Sequence, residues 1–598
     1  MISLLRLLRL IGVGACGISA QFVTPPDDLI QSIGYAGVPV RFKEVPAGIC
    51  ELDPNVKSFS GYADVADDQH IFWWFFEARG INPEYAPLTV WINGGPGSSS
   101  MLGLFQELGP CGVDYFGNIY SNRNSWTNAS NVLFIDQPSQ VGFSYSNPVP
   151  AYEEDGNIIV LPDQTCPEHL PTPSTCGTYS SPNITLTANS TVGAAQAFWK
   201  TLQGFLGTFP EYSENGLHLA TESYGGHYGP IFSSFIERQN DLDIPGAKRI
   251  QFETLLVGNG WFDPIIQYQA FYNFTVSPGN TYDYAPFNAS TESLVFDNLY
   301  GPGNCLDQLR ECKSTGLNSV CSKADDFCMQ HVEDIYRDAL SRDVYDIREL
   351  SPDPFPYKFF VDYLNTPKVQ KAIGAYTNFS AHSDTVYEAF STTGDDARGV
   401  NSIENIQFLL SRNVTVALYA GDADFDCNWI GGEAVAYEIL APGFNNAGYE
   451  NFTTRDGDVH GQVKQTAGFS FTRIYESGHM VPFYQPLAAL DLFERTISRT
   501  DIATGTQNAS SVYQSTGPPK SLYREGNATM QWKTVSTDKT YDTEANRPGK
   551  AWVKLPDESE TLIDSDYQRQ YPFQNFRGEE DMSAWRRLLE YFIYVFYS

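Results

Sequence analysis

Positive charge is scarce in this sequence: 38 lysines and arginines stand against 71 aspartates and glutamates in 598 residues, a formal net charge of −33. Such a balance repels polyphosphates and anionic lipid, which argues against nucleic-acid binding and electrostatic docking on membranes. Beyond the first residues no apolar run reaches the ~20 positions that a membrane-spanning helix needs. There is no GxGxxG for a dinucleotide and no CxxC or histidine-rich spacing for zinc, so no cofactor or metal is expected. The 49 glycines and 36 prolines form no periodic tract, and no internal repeat suggests a solenoid or propeller.

What is present reads as a large globular protein made for export. Hydrophobic residues make up 42% and aromatics 14% of the chain, enough for a sizeable core. The opening MISLLRLLRLIGVGACGISA has the layout of a secretory signal ending at Ala20, with cleavage before Gln21, and Arg6 and Arg9 interrupt it too early for a membrane anchor. Ten Asn-X-Ser/Thr sequons, at Asn128, Asn183, Asn189, Asn273, Asn288, Asn378, Asn413, Asn451, Asn508 and Asn527, fit a secreted or vacuolar glycoprotein. Acidity fits the same setting, although a merely solvated acidic surface explains it equally well. Ten cysteines favour disulfides. Cys16 leaves with the signal. Cys305, Cys312, Cys321 and Cys328 are mirror-symmetric in spacing, which suits nested bridges Cys305–Cys328 and Cys312–Cys321, and Cys166 with Cys176 closes a short loop. Cys50, Cys111 and Cys427 remain, an odd number, so one is free.

Along the chain, seven segments read as buried strands: 70–79, 87–95, 131–136, 216–220, 250–260, 414–422 and 469–478. Between them VGAAQAFWKTLQGFLGTF (192–209) places Ala195, Phe198, Leu202 and Phe205 on one helical face. Alternating strands and helices predict an α/β fold with a central, mostly parallel sheet covered on both faces. Sheets of this kind hold their ligands beyond the carboxyl ends of the strands.

At such an end stands ATESYGGHYGP. Ser223 falls at a strand-to-helix corner where its hydroxyl would protrude, although Thr221 replaces the first glycine of Gly-X-Ser-X-Gly; alone, the stretch reads equally as a serine-capped helix. A serine nucleophile needs an imidazole base and a carboxylate to orient it, both downstream in this type of fold. Among eight histidines, His479 in ESGHMVPFYQP follows a strand in a glycine-flanked loop. VALYAGDADFDCNW ends a strand in Asp422, Asp424 and Asp426, among which the sequence does not choose, and each reads alone as an ordinary loop acid.

Five blocks, WINGGPGSSS (91–100), FQELGP (105–110), TESYGGHYGP (221–230), YAGDADFDCNW (419–429) and ESGHMVPFYQP (476–486), together resemble the serine carboxypeptidases, secreted and vacuolar exopeptidases of α/β-hydrolase fold, the fungal members above all. The resemblance spans about residues 40 to 500 and implies a catalytic domain over 21–500, an insertion at about 265–370 that caps the site, and a C-terminal extension over 501–598. Low apolar content makes that extension a wrap, a tether or disorder, and its apolar last residues are too short for a clear lipid-anchor signal.

The resemblance assigns Ser223 as nucleophile, His479 as base and Asp424 as the orienting carboxylate. It places the oxyanion hole at the backbone N–H groups of Gly95 and Tyr224. Recognition of the substrate's C-terminal carboxylate falls to Asn93, Gly94, Glu107 and Glu222, and Cys427 takes the family's unpaired-cysteine position. Two acids can bind an acid when crowding keeps one protonated, so binding weakens as pH rises. At acidic pH a histidine with a pKa near ~6.5 is mostly protonated, so either the site depresses His479 or a small neutral fraction does the work. Ser98 stands where many members carry cysteine, which suggests Cys50–Cys111 as a substitute clamp. The implied partners are peptide and protein C-termini. The alternatives are an acyltransferase on the same scaffold, or a non-catalytic glycoprotein, which would be expected to have lost a member of the triad.

Overall fold

The structure, a computed structural model, describes residues 22–154, 156–167, 170, 176–276, 279–340, 342–351 and 356–531, together with short strands between 541 and 563. The signal segment 1–20 lies outside the described residues, as does most of the chain after 531.

Aromatic and β-branched runs build one twelve-stranded sheet. Its strands are β1 (Ile30–Ile33), β2 (Pro39–Glu44), β3 (Ser58–Ala66), β4 (Gln69–Phe76), β5 (Leu88–Ile92), β6 (Asn131–Ile135), β7 (Leu217–Glu222), β8 (Phe252–Gly258), β9 (Thr415–Gly421), β10 (Glu450–Thr453), β11 (Val459–Thr466) and β12 (Phe469–Ile474). They lie in the order β1-β2-β3-β4-β6-β5-β7-β8-β9-β12-β11-β10. The run from β6 to β12 is parallel, as the alternation predicts. Both flanks are antiparallel, an arrangement that the apolar runs do not signal because β1, β2 and β10 are half-exposed elements with mixed side chains.

HIFWWFF reads as continuously apolar because β4 is buried on both faces. Trp73 and Phe75 join one core, and Phe72, Trp74 and Phe76 join the other. Helix α1 (Thr191–Thr208) covers the first face with Ala195, Phe198, Leu202 and Phe205, the stripe predicted from the sequence. Ser190 caps it by accepting from the Gly193 N–H. The helix Pro486–Ile497 covers the second face through Leu490, Leu492 and Phe493. Each large side chain so buried contributes about 1.5–3 kcal/mol.

Between β8 and β9 the chain leaves the sheet and builds the helical insertion. Within it Cys305–Cys328 and Cys312–Cys321 staple the helices Cys305–Thr315 and Asn318–Cys328 into a hairpin. Cys50–Cys111 and Cys166–Cys176 are also bridged, and Cys427 is free and buried. The segment 501–531 is a wrap. Ile502 N–H donates to Gln465 Oε1, Ser515 N–H to the Gln465 carbonyl and Gln531 N–H to the Arg348 carbonyl, while Glu525 meets Arg473. Of the sequon asparagines, seven are exposed and Asn128 and Asn183 are half-buried. Asn378 is only 2% exposed, and its amide bonds the Thr178 N–H and Asn365, which leaves a sugar no room without local opening. Among the described residues no helix is long and apolar enough to cross a membrane.

Candidate active site

Strand β7 delivers Ser223 into a sharp corner before helix α2 (Gly225–Asp241). Its backbone takes φ +62°, a left-handed conformation that costs a non-glycine residue roughly 1–3 kcal/mol. The surroundings enforce it: the Ser223 N–H donates to the carbonyls of Gly258 and Asn259, each at 3.1 Å, and its carbonyl accepts from Gly226 and Trp261. A Cβ on Gly225 would lie 2.1 Å from Thr221 Oγ1, so threonine at 221 is tolerated because residue 225 is glycine.

Each of the three acids after β9 has its own partner. Asp422 is spent on Arg473 and the Tyr282 hydroxyl, and Asp426 on Arg337. Asp424, fully buried, lies 2.7 Å from His479 Nδ1. The carboxylate is fixed by Asn259 Nδ2 at 2.8 Å and by the N–H groups of Asp426 and Cys427 at 3.0 and 3.2 Å. Asn259 was not anticipated from the sequence. It directly follows β8, its carbonyl accepts the Ser223 N–H and its Oδ1 accepts the Gly421 N–H, so one residue ties the serine corner to the carboxylate loop. The GNG after a strand was the only available signal.

Burial pushes the His479 imidazole down, but the charge and hydrogen bond of Asp424 outweigh it and leave the group above its ordinary value. This favours the small neutral fraction over a depressed histidine. Burial likewise lifts Asp424, with His479 pulling it back. Donor atoms of Asp424, Cys427 and His479 lie within 4.8 Å of one another, the one set with metal-ligand spacing among the described residues. Burial and the neighbouring carboxylates push the Cys427 thiol well up, so it stays protonated and a poor ligand.

Ser223, His479, Gly95 and Tyr224 line one cavity of about 810 Å³, together with Asn93, Gly94 and Glu222. The Gly94–Gly95 turn packs directly on the serine corner: a Cβ on Gly94 would lie 2.5 Å from the Tyr224 nitrogen and 2.8 Å from Ser223 Cβ. Gly95 itself has φ +112°. Beside the corner, Asn93 Oδ1 accepts from Trp91 Nε1 at 2.7 Å and from the Gly103 N–H at 3.0 Å. That orientation turns Nδ2 toward Glu222 at 2.8 Å and Glu107 at 3.4 Å. Both glutamates are buried, and Glu107 Oε2 has no donor among the described residues. Burial, offset in part by Glu222 and Asn93, pushes Glu107 up to about 7. Burial and then the charge of Glu107 push Glu222 well above the carboxylate range. The pair therefore carries a proton at acidic pH.

A family model described as serine carboxypeptidase matches residues 48–499. Carboxypeptidase S1 homolog B of Arthroderma otae is 38% identical over 553 residues, covering 84% of this chain and 83% of the relative. Carboxypeptidase S1 of Penicillium janthinellum is 38% identical over 469 residues, covering 77% of this chain and 99% of the relative. Among solved structures, Kex1(Δ)p, a prohormone-processing carboxypeptidase from Saccharomyces cerevisiae, superposes with a TM-score of 0.57 at 22% identity over 77% of this chain and 91% of that one, a likeness of fold.

Proposed function

The chain belongs to the serine carboxypeptidase family, and from that membership we propose how its cavity divides the work of removing C-terminal residues from peptides. Ser223 is the nucleophile, His479 the base and Asp424 the group that holds the imidazole. His479 takes the Ser223 proton as Oγ bonds to the carbonyl carbon of the penultimate residue. Negative charge on the carbonyl oxygen is met by the N–H groups of Gly95 and Tyr224. His479 then gives its proton to the departing amine nitrogen, the C–N bond breaks, and an acyl-enzyme remains on Ser223. Water, deprotonated by His479, reverses the first step and frees the shortened peptide.

The observation that carries the exopeptidase reading is the buried Asn93–Glu107–Glu222 cluster beside the serine corner. With one carboxyl protonated, it offers O–H and amide N–H donors to a terminal carboxylate, and the Gly94 backbone completes the clamp. The domain covers residues 21–500 with its insertion, the 501–531 wrap is its brace, and residues 1–20 direct export and are then removed. Export to the cell exterior or to a vacuole fits the exposed sequons.

The test is hydrolysis of an N-blocked dipeptide near pH 5, with and without a serine-directed organophosphate, and with an added alcohol. A free C-terminal amino acid that vanishes with the inhibitor supports the reading. Ester as the main product at low alcohol concentration means an acyltransferase, and no turnover means an inert scaffold.

A further inference from the structure

The family match ends at residue 499, yet the strap 521–531 bonds to the elements that carry the catalytic acid and base. Arg473 of β12 donates to the Ser521 hydroxyl at 2.8 Å, to the Tyr523 carbonyl at 3.0 Å and to Glu525 at 2.6 Å, and the same guanidinium holds Asp422, two residues before Asp424. Tyr523 stacks on Tyr475 with ring centres 4.2 Å apart. Arg524 then donates to the Asn280 carbonyl at 2.9 Å and the Gly526 N–H to the Thr281 carbonyl at 3.0 Å, both in the first part of the insertion. Met530 is fully buried in the core that also holds Ala423 and Phe425, the neighbours of Asp424.

Gln531 grips an arm of the insertion, residues 342–350. Its N–H donates to the Arg348 carbonyl at 2.7 Å, its carbonyl accepts from Arg342 Nη2 at 2.8 Å, and its Oε1 accepts from the Leu350 N–H at 3.0 Å. Arg342, itself buried, closes the arm by donating to the Ile347 and Arg348 carbonyls at 3.0 and 3.3 Å. The turn of that arm reaches both catalytic loops. The Val344 carbonyl accepts from the N–H groups of Phe425 and Asp426 at 2.9 and 3.2 Å, and the Ile347 N–H donates to the Ala423 carbonyl at 2.9 Å. The Tyr345 carbonyl accepts from the His479 N–H at 2.8 Å. The fit is close, since a Cβ on Gly478 would lie 2.5 Å from the Tyr345 carbonyl oxygen. One arm thus holds both partners of the Asp424–His479 hydrogen bond by their backbones.

We propose that Gln531 is a positioning residue for the reaction: by clasping the 342–350 arm it fixes Asp424 and His479 relative to one another, so the strap governs the rate of the chemical steps and not the affinity for substrate. The proposal rests on the carboxypeptidase reading and adds to it a residue beyond the family match. The carboxylate clamp is fastened elsewhere, Asn93 by Trp91 Nε1 and the Gly103 N–H, and Glu222 as the last residue of β7. Loosening the arm therefore acts through geometry at the acid–base pair, where a misplacement of about 1 Å changes the rate by about a hundredfold. The clamp stays in place. A brace without this role would lower stability alone.

The experiment compares Gln531→Ala, Gln531→Glu and Ser515→Ala in the full chain, reading kcat and KM for a blocked dipeptide together with amide hydrogen exchange by mass spectrometry. Gln531→Ala removes the acceptor of the Leu350 N–H. It should lower kcat by about tenfold to a hundredfold with KM changed by less than about twofold, and speed exchange in the peptides covering 342–350 and 423–427. Gln531→Glu keeps an acceptor at that place and should recover most of kcat. Ser515→Ala frees the same wrap from Gln465 and Gly448 at the sheet edge, so it should lower the thermal midpoint and leave kcat and exchange in those peptides unchanged. Gln531→Asn, which draws the acceptor back by one methylene, replaces the alanine variant should that one fold poorly. Unchanged kcat in Gln531→Ala, a loss carried by KM, an equal loss in Ser515→Ala, or a Gln531→Glu as slow as Gln531→Ala overturns the assignment. Absence of turnover in the unaltered chain overturns the carboxypeptidase reading instead, and unchanged exchange in Gln531→Ala then overturns the hold of the strap on the two loops.

Discussion

Raising the pH should loosen the grip on the substrate's terminal carboxylate well before it harms the chemistry. Glu107 sits at about 7 where an ordinary glutamate sits near 4.5, and burial and the charge of Glu107 raise Glu222 as well. The two titrate as a pair, and the proton that the proposed clamp would offer to the substrate starts to leave near neutrality. A group with a pKa near 7 is about 99% protonated at pH 5 and about 9% at pH 8, so KM for a peptide with a free carboxylate should rise roughly tenfold over that interval. An amide-capped substrate, which needs no such proton, should show a flat KM. Glu222→Gln replaces the titrating carboxyl by a permanent donor. It should raise KM at pH 5 by about tenfold through loss of one charge-assisted hydrogen bond, and flatten its dependence on pH. Initial rates over substrate concentration at half-unit pH intervals supply every number. Parallel KM profiles for the two substrates, or an unchanged slope in Glu222→Gln, would refute the proton-sharing clamp.

Other outcomes follow from the same geometry. Asn259→Ala removes the 2.8 Å donor to Asp424 and the acceptor of the Gly421 N–H. It should cost roughly 1–3 kcal/mol in denaturant unfolding and move the acid limb of the kcat profile to higher pH, because the lost bond favoured the ionised carboxylate; an unmoved limb would leave Asn259 with only a structural role. Gly94→Ala drives a methyl to within 2.5 Å of the Tyr224 nitrogen and should lower the thermal midpoint and, in the fraction still folded, kcat by about a hundredfold or more, whereas normal kcat would free this turn from the oxyanion role. Stability should fall as pH rises from about 5.5 to 8. Glu107, Asp325, Glu333 and Glu349 are each pushed to about 7 and Glu525 to about 9, chiefly by burial, so their protonated forms stabilise the fold below the unfolded values and that contribution is lost as pH climbs through the folded ones. Buried His218, pushed down to about 3, works the other way below about 6.5 and sets the acid limit of the plateau. A midpoint that rises between pH 6 and 8 in thermal scans would contradict this balance.

The parallel strands were legible because each is buried on both faces, so their apolar runs need no partner to be recognised. The half-exposed strands at the flanks, such as Ile30–Ile33 and Glu450–Thr453, carry no comparable signal. For 501–531 the sequence left a wrap, a tether and disorder open, because the segment is fastened by polar bonds such as Arg473 to Glu525 and Ser515 to Gln465, and low apolar content does not separate the three. At the site, the choice among Asp422, Asp424 and Asp426 was open to residue chemistry alone, and only resemblance pointed to Asp424. Distant side chains separate them: Arg473 takes the first, His479 the second and Arg337 the third. Asn259 was invisible because its value lies in joining two loops that meet only after folding.

The most direct test of the central claim, that the hydroxyl of Ser223 is activated by the His479–Asp424 pair, is mass spectrometry after reaction with a fluorophosphonate. One adduct per chain, mapped to the peptide bearing Ser223 and formed about a thousandfold more slowly or worse in His479→Ala, is the predicted result. An adduct on another serine, or undiminished labelling without the imidazole, would contradict it.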